Sequence, residues 1–293
     1  MTVIANDFVP IKPYDTNVVT VGIGQRSDVI VKATGKQTGA YWMRSHITSC
    51  ATANQPDALA VVYYDKADSS SKPNSKPYPD DNTRTCINDD LTKSVPYYPI
   101  TPDPNPSVTQ ELTLSGGFNE THHFVFYVNN QTFRANYNKP LLLLAKNGNT
   151  SYPDDPQWNV YNFGSNKTIR IVVYNDFPAA HPMHLHGHNM FVLSEGNGTW
   201  DGTIVNPKNP QRRDVQMLPP NGHLVLQFTA DNPGVWPFHC HIAWHVSQGL
   251  YINIMERPAD IKQMQIPQIM DQTCRDWEEY SSSNVVLDID SGL

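Results

Sequence analysis

Along the chain, short runs rich in Val, Ile, Thr, Tyr and Phe, many alternating apolar with polar positions, are closed by Gly, Pro, Asn or Asp. That period-two pattern predicts β-strands, each with one face turned to a core. Within residues 1–65 the runs are "NVVTVGIGQ", "SDVIVKA", "AYWMRS" and "ALAVVYY", which read as part of one sheet sandwich. A second series follows from residue 108: "ELTLSGG", "HHFVFYVN", "TIRIVVYND", "NMFVLSEG", "HLVLQFTAD" and "GLYINIME". Its spacing is that of a Greek-key β-sandwich, so the fold class is all-β. Between the two series the pattern lapses into Ser, Pro, Asp and Lys, with eight prolines from Pro73 to Pro106, which predicts an interdomain linker over 66–107. The second domain then spans 108–257. From 258 to 293 the pattern changes again: Pro267 is the expected first residue of a short C-terminal helix. No repeat of solenoid period occurs, and "GIG" at 22–24 lacks the rest of a dinucleotide-binding fingerprint.

Composition narrows the partners. A net charge of -7 with no basic run gives no electrostatic case for nucleic acid or an anionic membrane. The longest apolar run, Leu141 to Ala145, is far short of the roughly 20 residues a membrane-spanning helix requires, so a soluble chain is expected. Sequons at Asn119, Asn130, Asn149, Asn166 and Asn197 point to glycosylation and secretion, although "MTVIANDFVPIKPYD" has no charged and apolar leader pattern. Cys50 and Cys86 bracket a loop that a disulfide would close, a link worth about 4 kcal/mol. Cys274 is left over, to be read as a reactive thiol or as one with a partner outside this sequence.

The chemistry is concentrated in histidines. Seven of the eleven lie in two stretches, "AHPMHLHGHNM" and "FHCHIAWH". Alternation along a strand puts His239 and His241 on one face and Cys240 on the other, so one strand can serve two metal sites. A thiolate with two imidazoles is the donor set of a blue-copper electron-transfer site. Structural zinc commonly takes four ligands with cysteines at CxxC-like spacing, and no such pair is present.

"HPMHLHGH" and "HCHIAWHVSQGL" resemble the third and fourth copper signatures of the multicopper oxidases, and the terminal "DSGL" resembles the processed C-terminus of ascomycete fungal laccases. More weakly, "FVPIKPYDTNVVTVGIGQRSDVIV" resembles the later part of a laccase second domain, and the chain from about residue 108 resembles the whole third domain. The resemblance implies cupredoxin-like sandwiches and copper. By matching position it implies that His181, Cys240 and His245 hold a type 1 copper, that His184 is a type 2 ligand, and that His186, His239 and His241 are type 3 ligands. Leu250 takes the place where many blue-copper proteins carry methionine, leaving a three-coordinate copper of raised potential. Trp244 and Phe177 are expected beside His245 at a substrate pocket. The family's first and second signatures, HxH pairs of its first domain, occur nowhere in this sequence. The chain is therefore expected to be the C-terminal part of a laccase, needing an N-terminal portion to which the counterpart of Cys274 is bridged. The "DSGL" end is expected to plug the channel to the trinuclear copper.

The implied activity is one-electron oxidation of phenols or aromatic amines coupled to four-electron reduction of dioxygen to water, serving lignin breakdown, pigment formation or detoxification. A stand-alone type 1 copper module and a copper-free structural remnant are the alternatives. Several conspicuous residues have plainer readings. His188 is expected to be a buried, hydrogen-bonded structural histidine, and His46, His122, His123 and His223 surface or packing residues. Met183, Met190 and Met255 read as core filler, Trp236 as core, and Asp214 as a strand-end turn carboxylate rather than an orienter of a ligand.

Overall fold

The structure is a computed structural model that describes residues 1–47, 54–77, 86–284 and 291–293. The N-terminal part carries β1 (Thr2–Asn6), β2 (Val9–Asp15), β3 (Ser27–Ile30), β4 (Ala40–His46) and β5 (Asp57–Tyr63). Beyond the Pro-rich stretch come β6 (Val108–Phe118), β7 (Phe124–Val128), α1 (Leu141–Lys146), β8 (Val160–Asn162), β9 (Thr168–Asn175), β10 (His181–Leu185) and β11 (Met190–Asn197). They are followed by β12 (Gln211–Arg213), β13 (Val215–Leu218), β14 (Gly222–Thr229), β15 (Gly234–Cys240), α2 (Ala243–Ser247), β16 (Tyr251–Glu256), α3 (Pro258–Ile261) and α4 (Gln268–Ser283). Among the described residues the strands form sheets of order β2-β1-β3, β4-β5, β12-β11-β14-β9-β6-β7 and β13-β10-β15-β16-β8.

The last two sheets make the sandwich that carries the histidines. Its core is written in alternate residues: Leu112 and Leu114 on β6, Ile169, Ile171 and Val173 on β9, and Leu224, Leu226 and Phe228 on β14. From the five-stranded sheet, Met183 and Leu185 on β10, Phe238 and Cys240 on β15, and Ile252 and Ile254 on β16 join the same cluster. Two smaller apolar clusters cover the outer faces. Val172, Phe191, Leu193 and Val225 lie together on one, and Ala145 of α1 and Ile261 of α3 pack with Met255 on the other. Covering both faces explains why β9 and β14 read as nearly continuous apolar runs.

The expected strands of the second series all form. In the first series "NVVTVGIGQ" does not: Gln25 closes a turn on Gly22, its amide donating to the Gly22 carbonyl at 3.0 Å while its side chain accepts from the Gly22 amide at 2.7 Å. Instead β1 pairs with both β2 and β3. Asp7 and Phe8, at φ 46° and 64°, make the β1–β2 hairpin turn. The described residues of the expected linker form no labelled strand or helix, yet the stretch is not loose. Leu91 enters the sandwich core, and buried Asn88 exchanges side-chain hydrogen bonds with Gln25 while accepting from the Met217 amide. Pro267 stands just before α4 rather than at its first residue.

Candidate metal centre

Strand parity sorts the histidines. His181, Met183 and Leu185 on β10 are buried, as are Phe238 and Cys240 on β15. The intervening His184 and His239, which are cross-strand partners in the β10–β15 register, turn to the opposite face. His186 and His241 continue that outward series just beyond the strand ends, held by main-chain bonds to the carbonyls of Pro237 and Pro182. His245 comes back to the inner face from α2, a turn closed by its amide on Ile242 and followed by Leu250 donating to the His245 carbonyl.

On the inner face Cys240 Sγ lies 3.7 Å from His181 Nδ1 and 3.5 Å from His245 Nδ1, and the two nitrogens are 3.3 Å apart. Phe126 lies against both rings, 5.2 Å from His181 and 4.7 Å from His245, and Phe177 packs 5.9 Å from His181. Burial pushes the Cys240 thiol up to about 12, despite help from the Ile242 amide. Burial, and then the neighbouring His245, pulls His181 down to about 3. His181 Nε2 is buried with no hydrogen-bond partner, so only the Nδ1 side of this ring has polar company. Two neutral imidazoles and a sulfur converging in an apolar pocket are a costly arrangement for protons and a suitable one for a soft cation, which would also ionise the thiol. A His₂Cys set beside a buried Leu250 fits copper, and among the described residues it has no fourth His, Cys or carboxylate donor of the kind that closes a structural zinc site.

On the outer face the ligating atoms of His184, His186 and His239 lie within 4.8 Å of one another. The His186 and His239 Nε2 atoms are 2.9 Å apart. Carbonyl partners fix two of the tautomers: His184 Nδ1 donates to Asp214 at 2.8 Å and His239 Nδ1 to Cys240 at 2.8 Å, leaving each Nε2 lone pair free for a metal. Burial, countered by the Cys240 carbonyl and reinforced by the neighbouring imidazoles, holds His239 down to about 4. Burial and then His184 and His241 lower His186. His241 stands beside this trio, its ring 5.4 Å from His184 and 6.0 Å from His239. A cavity of about 330 Å³ opens over His184 and His186, walled by Asp7, Phe8 and Asp214.

This chain spans about half the length of the curated relatives it matches. The multicopper oxidase family pattern matches residues 103–260, and a second pattern of the same description matches 1–67. The chain belongs to the multicopper oxidase family. It is 37% identical over 309 residues to the oxidoreductase OpS5 of Beauveria bassiana, covering all of this chain and 51% of that protein. It is 36% identical over 321 residues to laccase-2 of Podospora anserina, again covering all of this chain and 51% of the relative. Among solved structures, the laccase from Botrytis aclada superposes with a TM-score of 0.87 at 32% identity, over 100% of this chain and 54% of that one. Fet3p, a multicopper oxidase that functions in iron import, shares the fold, with a TM-score of 0.81 at 22% identity over 98% of this chain and 58% of its own.

In this multicopper oxidase copper is the metal the family uses, and the inner donor set is compatible with it. The remaining sequence-expected residues fall as follows. Trp244 is 68% exposed beside His245, and Phe177 packs on the inner pocket. Cys86 is disulfide-bonded; its expected partner Cys50 lies outside the described residues, as does Asp290 of the "DSGL" end. Cys274 is a free thiol on α4. None of the sequon asparagines 119, 130, 149, 166 and 197 is buried. Met183, Met190 and Met255 are core residues. His188 donates to the His186 carbonyl at 3.0 Å and lies 3.0 Å from buried Glu256. Burial opposes its charge, but Glu256 and that carbonyl outweigh burial and raise its pKa. Asp214 sits at the end of β12 as expected, and it does more: its carbonyl orients His184. Asp7, Arg26, Arg213, Gly24 and Phe126, all within reach of the two groups, carry no local sequence signal for that placement.

Proposed function

We propose that this chain is the copper-bearing part of a laccase-type oxidase, taking single electrons from phenols or aromatic amines and delivering them to dioxygen, which becomes water. The observation that carries the reading is strand parity at β15: Cys240 faces one donor group while its covalent neighbours His239 and His241 face the other. His181, Cys240 and His245 would hold a type 1 copper, His184 a type 2 copper, and His186, His239 and His241 type 3 coppers. Copper bound there supplies one-electron redox chemistry at the inner group and four-electron dioxygen reduction at the outer one. The protein's residues supply position and insulation. His245 is the partly exposed member of the inner trio, so an aromatic donor would approach its edge past Trp244, while Phe126 and Phe177 keep water from the sulfur. The backbone from Cys240 to His239 and His241 is the connection between the groups.

The outer group offers four imidazoles, fewer than a trinuclear cluster takes, and HxH pairs on a polypeptide region beyond residues 1–293 would supply the balance. Cys274 would bridge to that region, Cys50 would pair with Cys86, the "DSGL" end would plug the outer channel, and the accessible sequons fit a secreted, glycosylated protein. Copper reconstitution tests the reading. A blue chain that consumes oxygen with a phenol once the complementary region is added supports it. A blue chain that stays inert in that mixture favours an electron-transfer module instead, and absence of copper binding overturns both.

A further inference from the structure

The turn that closes on Gly22–Gln25, idle in any nucleotide-binding sense, is packed against the outer histidines. Gly24 has φ +84°, and a Cβ on it would come within 2.5 Å of His241 Cδ2 and 2.6 Å of Cγ. The glycine is thus the wall on which the His241 ring rests, close enough that no side chain fits between. Its carbonyl accepts from Arg26 Nη1 at 2.7 Å. The same guanidinium grips both carboxylate oxygens of Asp214, at 2.7 and 2.6 Å. Asp214 in turn orients His184 through its carbonyl, at 2.8 Å. At its other end Arg26 is fastened by its amide to Asp7 Oδ1 at 2.8 Å, and buried Asp7 is clamped by Arg213.

We propose that Arg26 is a positioning residue for the outer metal group, coupling the ring plane of His241, through Gly24, to that of His184, through Asp214. Two histidines, His184 on β10 and His241 just past the end of β15, must present their nitrogens to shared metal, and each depends on a support that ends at this one guanidinium. A planar fork with five donors can hold two carboxylate oxygens and a carbonyl together, which an ammonium cannot. Loss of such outer supports weakens metal binding by about 10- to 100-fold. The inner group lies on the far face of β15 and touches none of these residues, so it serves as an internal control. The inference rests on reading the outer histidines as metal ligands.

The test is a Cu(II) titration of the whole chain together with the complementary region, with the thiolate-to-copper absorption reporting the inner group and the paramagnetic resonance of the remaining copper reporting the outer one. Wild type should fill both. Arg26→Gln should keep the inner colour while its outer site weakens about 10- to 100-fold; Arg26→Lys should recover only part of that loss, and Gly24→Ala should alter the outer resonance alone. Arg26→Gln binding outer copper as wild type does would overturn the inference, as would inner and outer copper lost together, which marks a merely structural role. A wild-type chain that, with the complementary region present, fills the inner site and never the outer one would instead refute the metal-ligand reading on which the inference rests.

Discussion

Replacing Asp7 with Asn removes one charge from the contact between the β1–β2 hairpin and the histidine-bearing sandwich while keeping the side chain's shape. The Asp7 carboxylate has no exposed surface and Arg213 opposite it is 5% exposed. The carboxylate accepts from Arg213 Nε at 2.8 Å and Nη2 at 3.1 Å, from the Arg26 amide at 2.8 Å and from the Val215 amide at 3.4 Å. Removing one partner of a buried ion pair strands the other and costs about 3–5 kcal/mol. Asn can still accept one bond from Arg213, so the lower end, about 3 kcal/mol, is expected. Asp214→Asn gives the contrast. Its pair with Arg26 is 20% and 36% exposed, where ion pairs contribute at most about 1 kcal/mol. Urea unfolding of the copper-free chain, followed by tryptophan fluorescence, should show a large fall in midpoint at constant slope for Asp7→Asn and a small one for Asp214→Asn. Equal effects, or a cost below about 1 kcal/mol for Asp7→Asn, would refute the view that buried charge holds these segments together.

Glu195 gives a pH signature. Burial, opposed by the Gln216 hydrogen bond and Arg213 and aided by Asp90, pushes its carboxyl up to about 7 from an ordinary 4.5. Between those values the folded chain keeps a proton that the unfolded chain has lost, so this residue's contribution to stability is full below 4.5 and fades as pH rises through 7. Thermal melts of Glu195→Gln should therefore gain on wild type across that window, by about 3 kcal/mol, and stay level above it; a gain that grows toward acid pH would contradict the assignment. Leu250→Met should lower the reduction potential of bound inner copper by adding a weak fourth ligand, read by equilibrium titration against a redox mediator, and a raised potential would refute the three-coordinate reading.

The sandwich strands were legible because both their faces are buried: β9, β14 and β16 read as dense apolar runs. The donor residues were legible because β10 and β15 carry them at spacings that parity converts directly into faces. The supports were not. Arg26 reaches Asp214 across 188 residues and Asp7 reaches Arg213 across 206, so no local pattern announces either contact. "NVVTVGIGQ" reads as a strand by its valines, yet Gly22 and Gly24 bend it into a turn that fits against His241. Asp214 was half-legible. Its place at a strand end follows from "QRRDVQM", whereas its hold on His184 runs through a main-chain carbonyl that any residue would carry.

The central claim is that Cys240 is a copper thiolate linking two donor groups, and Cys240→Ser tests it most directly. Copper-loaded wild type should show intense visible absorption from thiolate-to-copper charge transfer, and Cys240→Ser should lose it entirely while retaining copper at the outer histidines. Colour that survives the substitution, or stoichiometric zinc in place of copper in the native protein, would contradict the account.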